Sequence, residues 1–292
     1  CERLLGVVDL LTLQLRQPAQ AWDEFQPVRY RVRAALDAAD GTHDEVSVLF
    51  GFRHVERVGK EMRLNGRPIF LRGTLDCAVY PKTGHPPMTV KEWERVLGVV
   101  KEYGFNHVRF HTWCPPEAAF EAADRLGVYL QPEAPAWVDD WGTGTITKPP
   151  AIGRDPKITD FLRAELRRMS EAYGNHPSFL LCAIGNEFGM QSTDWERVNA
   201  MVEEVKSFDA RRLYTGCGAR KHLDADDYWF THNSGASTRG VGPARTDWDF
   251  AKAVEASPVP VIAHETGQRP VFPDYDNLLP KFTGPLLPLN LE

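Results

Sequence analysis

Phe179-Leu180-Leu181-Cys182-Ala183-Ile184-Gly185-Asn186-Glu187-Phe188 runs apolar almost to its end, then delivers an amide and a carboxylate side by side. An apolar run without polar alternation is what a strand buried on both faces requires, as in a parallel sheet. A carboxylate directly after such a run carries a desolvation cost, which a structure bears where the charge has a use. Val259-Pro260-Val261-Ile262-Ala263-His264-Glu265-Thr266-Gly267-Gln268 repeats the design. Parallel α/β folds collect their chemistry at the carboxyl ends of strands, so Glu187 and Glu265 stand out as a pair.

Working outward, strand and helix patterns alternate on both sides of this run. Pro68 to Thr74 reads as a first buried strand after an Asn65-Gly66 hairpin signal. Residues 89–103 carry Trp93, Val96, Leu97 and Val100 at helical spacing behind Thr89 as N-cap. Phe105 to His111 is the second strand, and Pro116 to Leu126 a helix closed by Gly127. Val128 to Glu133 is the third strand, and Pro156 to Tyr173 a long helix before the Glu187 strand, the fourth. A helix through Val198 to Phe208, short strands at Leu213–Cys217 and Tyr228–His232, and the Glu265 strand complete the order. This alternation predicts an α/β fold with a parallel sheet. Arg72-Gly73-Thr74-Leu75-Asp76 offers no glycine-rich phosphate loop, which disfavours an open dinucleotide-binding sheet. A (β/α)8 TIM barrel over residues 59–292 fits better, truncated after its seventh strand, because Pro273 to Glu292 shows no clear periodicity. Residues 1–58 instead show strands without helices: Val7–Leu15, Val28–Leu36, an Asp40-Gly41 turn and Val46–Phe50. They are expected to close an immunoglobulin-like β-sandwich whose first strands precede Cys1.

The bulk properties exclude several classes. The 292 residues are 42 % hydrophobic and 25 % charged, enough for a full core. A net charge of −6 without a basic block argues against nucleic acid, and no apolar run approaches the ~20 residues of a membrane span. Cys1-Glu2-Arg3 lacks an initiator Met and a signal pattern, so the start is expected to be an internal cut. Localisation is therefore unassigned, with periplasm and exterior both compatible, and oligomeric state is unassigned too. The five cysteines show no CxxC or Cys/His metal spacing and read as buried thiols. Cys114, in a strand-to-helix loop, is the one expected near a site.

Two carboxyl groups facing one bond are what glycoside hydrolysis needs: one protonates the leaving oxygen, the other attacks the sugar carbon or activates water. The ends of strands four and seven face each other across a barrel mouth. Asn186 is placed to meet a sugar hydroxyl, and Arg109 to stabilise an ionised Glu265. His111 at the end of strand two, His232 at the end of strand six, His264 beside Glu265 and Asp76 after strand one are further candidate contacts. Trp113, Trp137, Trp141 and Trp229 fall near strand ends, where indole faces stack on sugars. Trp93 and Trp195 lie on helices and read as packing, as does mid-strand His107. Arg72 is expected either at the site or as a core charge paired to Glu133. No HExxH or GxSxG pattern occurs, and neither a cofactor nor a metal is expected.

The combination of Asn186-Glu187, Glu265, the junction from Phe50-Gly51-Phe52-Arg53 to Leu64–Gly73, and Asn106–His111 resembles glycoside hydrolase family 2. That resemblance implies a retaining exo-β-glycosidase with Glu187 as acid/base and Glu265 as nucleophile, acting on an oligosaccharide or glycoside. It favours a β-galactoside, with a β-glucuronide next. A carbohydrate-binding fragment without turnover is the reading from another class, and an aldolase-like barrel built on Lys221 a third.

Overall fold

The structure is a computed structural model that describes residues 15–137, 152–231, 251–265 and 274–282. Before residue 51 it contains an exposed antiparallel ribbon, β1 (Tyr30–Asp37) and β2 (His43–Phe50), joined through the Asp40-Gly41 turn. This matches the expected hairpin. A second sheet facing it is not among the described residues, and residues 7–14 of the first expected strand lie outside them. Tyr30, Phe50 and Phe52 cluster at the ribbon's base, with ring centroids 5.1–6.1 Å apart.

A second antiparallel unit follows: β3 (Val55–Val58), β4 (Glu61–Leu64) and β5 (Arg67–Pro68). Its tight turn sits on Asn65 (φ +54°) and Gly66 (φ +77°), the left-handed pair an Asn-Gly hairpin turn requires. Val55, Met62 and Leu64 are buried together with Trp22 against Tyr129, Leu180, Leu181, Leu213 and Phe230. The hairpin and the Trp22 segment thus plug the floor of the parallel sheet. Trp22 is fully buried and its Nε1 donates to the Asp124 carbonyl at 2.9 Å. Arg53 donates to the carbonyls of Pro177 (3.0 Å), Phe179 (2.7 Å) and Arg211, tying the floor to the start of the fourth strand.

Seven strands then run parallel: β6 (Gly73–Asp76), β7 (His107–Phe110), β8 (Tyr129–Gln131), β9 (Leu181–Asn186), β10 (Leu213–Gly218), β11 (Trp229–Thr231) and β12 (Val261–Ala263). Bridges Leu130↔Phe179, Glu133↔Ala183 and Ala219↔Thr231 join the separate ladders in chain order. Among the described residues no pairing returns from β12 to β6, so they form an arc and not a closed barrel. Between these two edges lies a cleft of about 460 Å³ lined by Leu71, His107, Gln131, Phe230 and Ile262. The first strand is correspondingly shorter and more open than its apolar sequence suggests, and Phe70 is 77 % exposed. An apolar strand is buried only where something covers it.

The helices obey their local signals. In α1 (Val90–Glu102) Thr89 caps the Glu92 amide and donates to the Glu92 carboxylate, a capping box. In α2 (Glu117–Leu126) Gly127 takes φ +68° at the stop. α3 (Pro156–Tyr173) and α4 (Trp195–Phe208) are capped by Asp155 and Asp194. The short α5 (Ala251–Ala256) precedes β12, and α6 (Tyr275–Leu278) follows it; neither is foreshadowed by a strong periodicity. Trp93, Leu97, Phe120, Leu166, Val198 and Val202 pack α1 to α4 onto the outer faces of the strands. Each fully buried side chain of this kind stabilises the fold by about 1.5–3 kcal/mol.

Candidate active site

Glu187 directly follows β9 and Glu265 lies two residues past the end of β12, both on the rim where all seven strands end. Both adopt left-handed backbone, φ +44° and +46°, a conformation that costs a non-glycine residue of order 1 kcal/mol. The turn lifts each side chain away from the strand's alternation and into the mouth of the arc. One carboxylate oxygen of each, together with a His264 ring nitrogen, lies within 4.8 Å of the other two.

Beneath them sits one guanidinium. Strand alternation turns His107 and Arg109 of β7 inward and Val108 and Phe110 outward to the helices. Arg109 Nε donates to Glu133 Oε1 at 2.5 Å and Nη2 to Glu133 Oε2 at 3.1 Å, a bidentate fork. Nη2 also donates to Asn186 Oδ1 at 2.9 Å, and Nη1 to Glu265 Oε1 at 3.3 Å. Burial alone pulls the guanidinium's pKa down, but the carboxylates of Glu133 and then Glu265 outweigh it and raise it. Arg109 is therefore a fixed positive charge between two acids.

Asn186 is fully buried. Its Oδ1 takes Arg109 and stands 3.0 Å from His264 Nε2, and its Nδ2 faces His111 Nε2 at 3.0 Å. His264 Nε2 is also 3.1 Å from Arg109 Nη1 and 3.5 Å from Glu265 Oε1. That single nitrogen accepts from Arg109 or donates to Asn186 or Glu265, according to its tautomer. His111 Nε2 lies 3.7 Å from Glu265 Oε1. Arg109, His111 and His264 thus surround Glu265, and Glu133 and Asn186 hold Arg109 and the two imidazoles in place.

The remaining expectations divide. Trp137 is 54 % exposed and stands edge-on to His111 at 5.2 Å, free on the rim for a ligand face. Trp113 instead packs inward on Phe110 (5.1 Å) and Trp93 (6.4 Å), with Nε1 donating to the Asp76 carbonyl. Asp76 spends its carboxylate on its own loop, accepting from Tyr80 Oη and the Ala78 amide at 2.7 Å each. Trp229 opens β11 at its amino end, edge-on to His222, and so is removed from the rim, which the strands' other ends form. His232 and Trp141 lie outside the described residues, as do Thr266 to Gln268.

Two expectations are corrected. Arg72 precedes β6 and is exposed, donating to Glu24 Oε2 (3.2 Å) and the Gly104 carbonyl, so the partner of Glu133 is Arg109. Cys114 packs against the core and burial pushes its thiol well up, so it is an inert packing group. Among the described residues the exposed thiol is Cys77. Glu133 is the member that the sequence reading missed. It is fully buried, binds Arg109 and accepts from the Thr112 amide at 3.0 Å, and its signal was a carboxylate ending an apolar third strand.

Comparison with known proteins identifies the family and the fold. A family profile described as glycosyl hydrolases family 2, TIM barrel domain, matches residues 55–267. A β-galactosidase of Photobacterium profundum is 32 % identical over 211 residues, 71 % of this chain and 19 % of its own length. A β-galactosidase of Vibrio vulnificus strain CMCP6 is 31 % identical over 242 residues, 82 % of this chain and 22 % of its own. The chain thus spans about a fifth of the length of these relatives. Among solved structures, a β-galacturonidase from Eisenbergiella tayi bound to galacturonate aligns with TM-score 0.67 at 21 % identity, covering 86 % of this chain and 45 % of that one. Parabacteroides merdae β-glucuronidase aligns with TM-score 0.61 at 24 % identity, covering 76 % and 27 %. These structures share the fold.

Proposed function

This chain belongs to glycosyl hydrolase family 2, and we propose that it carries the catalytic pair of a retaining exo-β-glycosidase, with Glu187 as acid/base and Glu265 as nucleophile. The observation that carries this reading is the approach of the two carboxylates to within 4.8 Å. Retention goes with carboxyl groups about 5–5.5 Å apart, whereas inversion needs about 6.5–9.5 Å to admit a water between them. Arg109 supports this division of roles. It supplies Glu265 with a cation that stabilises an ionised nucleophile, and the proton for the leaving oxygen is assigned to Glu187. In the first step Glu265 attacks the sugar carbon as Glu187 protonates the departing oxygen. In the second, Glu187 takes a proton from water, which displaces Glu265 from the sugar.

For the sugar we favour a β-galactoside, the activity in the names of relatives about 30 % identical. Arg109 is committed to Glu133, Glu265 and Asn186, so it has little to offer a uronic acid's carboxylate. A panel of β-linked nitrophenyl sugars given to the full-length protein tests the choice, and proton NMR of the first-formed anomer tests retention. Release of nitrophenol from the galactoside with a β-anomer first is expected. Preference for the glucuronide, or an α-anomer first, overturns the corresponding half of the proposal.

A further inference from the structure

We propose that Cys217 is a positioning residue whose thiol fixes the backbone turn that presents Glu187. The β9–β10 ladder pairs Cys217 with Gly185 and Gly218 with Asn186, and its regular rungs end there. Glu187 then turns left-handed, and its N–H donates to the Gly218 carbonyl at 3.2 Å. The next amide, on fully buried Phe188, has no carbonyl to meet; it donates to Cys217 Sγ at 3.2 Å. The same sulfur lies 3.3 Å from the Gly218 carbonyl, as its donor. Burial pushes the Cys217 thiol up, so it keeps its proton and is donor and acceptor at once.

One sulfur thus takes the place of a ladder carbonyl just beyond the point where the chain leaves the strand. Asn186 is fixed on the other side by its amide's bond to the Ala136 carbonyl at 2.9 Å. Glu187 is held between two anchored neighbours, which is what keeps a residue in a costly conformation. Carbon–sulfur bonds are long, so a thiol reaches an amide here that a shorter side chain meets less well. The inference rests on Glu187 being the acid/base. Displacing a proton donor slows the first step, which kcat/KM reports, for poor leaving groups and spares it for good ones, which depart unprotonated. The second step, in which Glu187 is the base, is common to both substrates, and a general loss of folding harms both alike.

The test compares Cys217→Ala, Cys217→Val and Cys217→Ser in the full-length protein, beside Glu187→Gln. Each is assayed on an aryl glycoside with a good leaving group, such as dinitrophenol, and on an alkyl glycoside. Cys217→Ala and Cys217→Val are expected to lose about ten-fold in kcat/KM on the alkyl glycoside, the size of one lost aligning hydrogen bond. Both should keep wild-type kcat/KM on the dinitrophenyl substrate, and Cys217→Ser should lie between wild type and these variants on the alkyl glycoside. Equal losses on both substrates, or none, beside a selective Glu187→Gln, overturn the role of Cys217 alone. An unselective Glu187→Gln overturns the acid assignment and this inference with it. Should the Ala and Val proteins not fold, Cys217→Ser decides: a milder selective loss is expected, and wild-type rates on both substrates overturn the bridge.

Discussion

Glu187 and Glu265 leave their strands in the same left-handed conformation, φ +44° and +46°, and turn carboxylates toward each other to within 4.8 Å. Two residues on strands four and seven share this uncommon backbone because each must abandon the strand's in-and-out alternation at its last step. The cost is offset by anchors on either side: Asn186 and Phe188 for Glu187, and buried His264 for Glu265. Strain that recurs at two carboxylates facing one space marks where the fold spends stability on geometry.

The Arg109–Glu133 fork is the buried support of that geometry. Glu133→Gln keeps the shape but removes the charge that balances a buried guanidinium, and breaking such a pair costs about 3–5 kcal/mol. We expect a lower urea midpoint together with a loss of turnover, because Arg109 then swings toward Glu265. An unchanged midpoint in urea denaturation contradicts the assignment.

Gly185 allows the fourth strand to pass close to its neighbours. A Cβ there meets the Ala136 carbonyl at 2.3 Å and the Phe188 ring at 2.6 Å. Gly185→Ala is expected to displace the backbone next to Asn186-Glu187, lowering stability by about 1–3 kcal/mol as overpacking does. Thermal unfolding checks the first effect and kcat the second. Full stability with full activity shows that the strand has room that these contacts deny it.

Asp226 gives the stability a pH dependence. Burial raises its carboxyl to about 7, against the pull of the Leu223 and Gly216 amides. The fold therefore favours the protonated acid, and this contribution is full below the unfolded value of about 3.9 and lost as pH rises through about 7. His107 works oppositely: burial lowers it to about 4, so its contribution is present above about 6.5 and lost as pH falls through about 4. The stability advantage of wild type over Asp226→Asn should shrink as pH rises from about 4 to 7, and its advantage over His107→Asn should grow. Urea midpoints at several pH values measure both, and differences that stay constant across that window contradict the assignment.

What could be read in the sequence was local. Thr89 with Glu92, Gly127 and Asn65-Gly66 each specify a cap or turn within four residues, and the structure forms all of them. The strand-end glutamates were legible because apolar runs define where strands stop. What escaped reading depends on contacts between strands. Arg72 and Arg109 both sit in or beside apolar segments, and only the start of β6 after Arg72 and the inward side of β7 tell which meets Glu133. Trp229 misled because a short strand places its first residue one strand length from its last, and the chemistry needs the last. Cys217 looked like any buried thiol until the ladder beside it ended.

The central claim is that Glu265 becomes bonded to the sugar. A 2-deoxy-2-fluoro-β-glycoside with a good leaving group slows the second displacement and lets the intermediate accumulate. Given to the full-length protein, followed by proteolysis and mass spectrometry, it should leave one fluorosugar on the peptide containing Glu265. Glu265→Gln should take up none. Label on Glu187, on Glu133 or elsewhere contradicts the account, as does steady turnover of this reagent with no adduct.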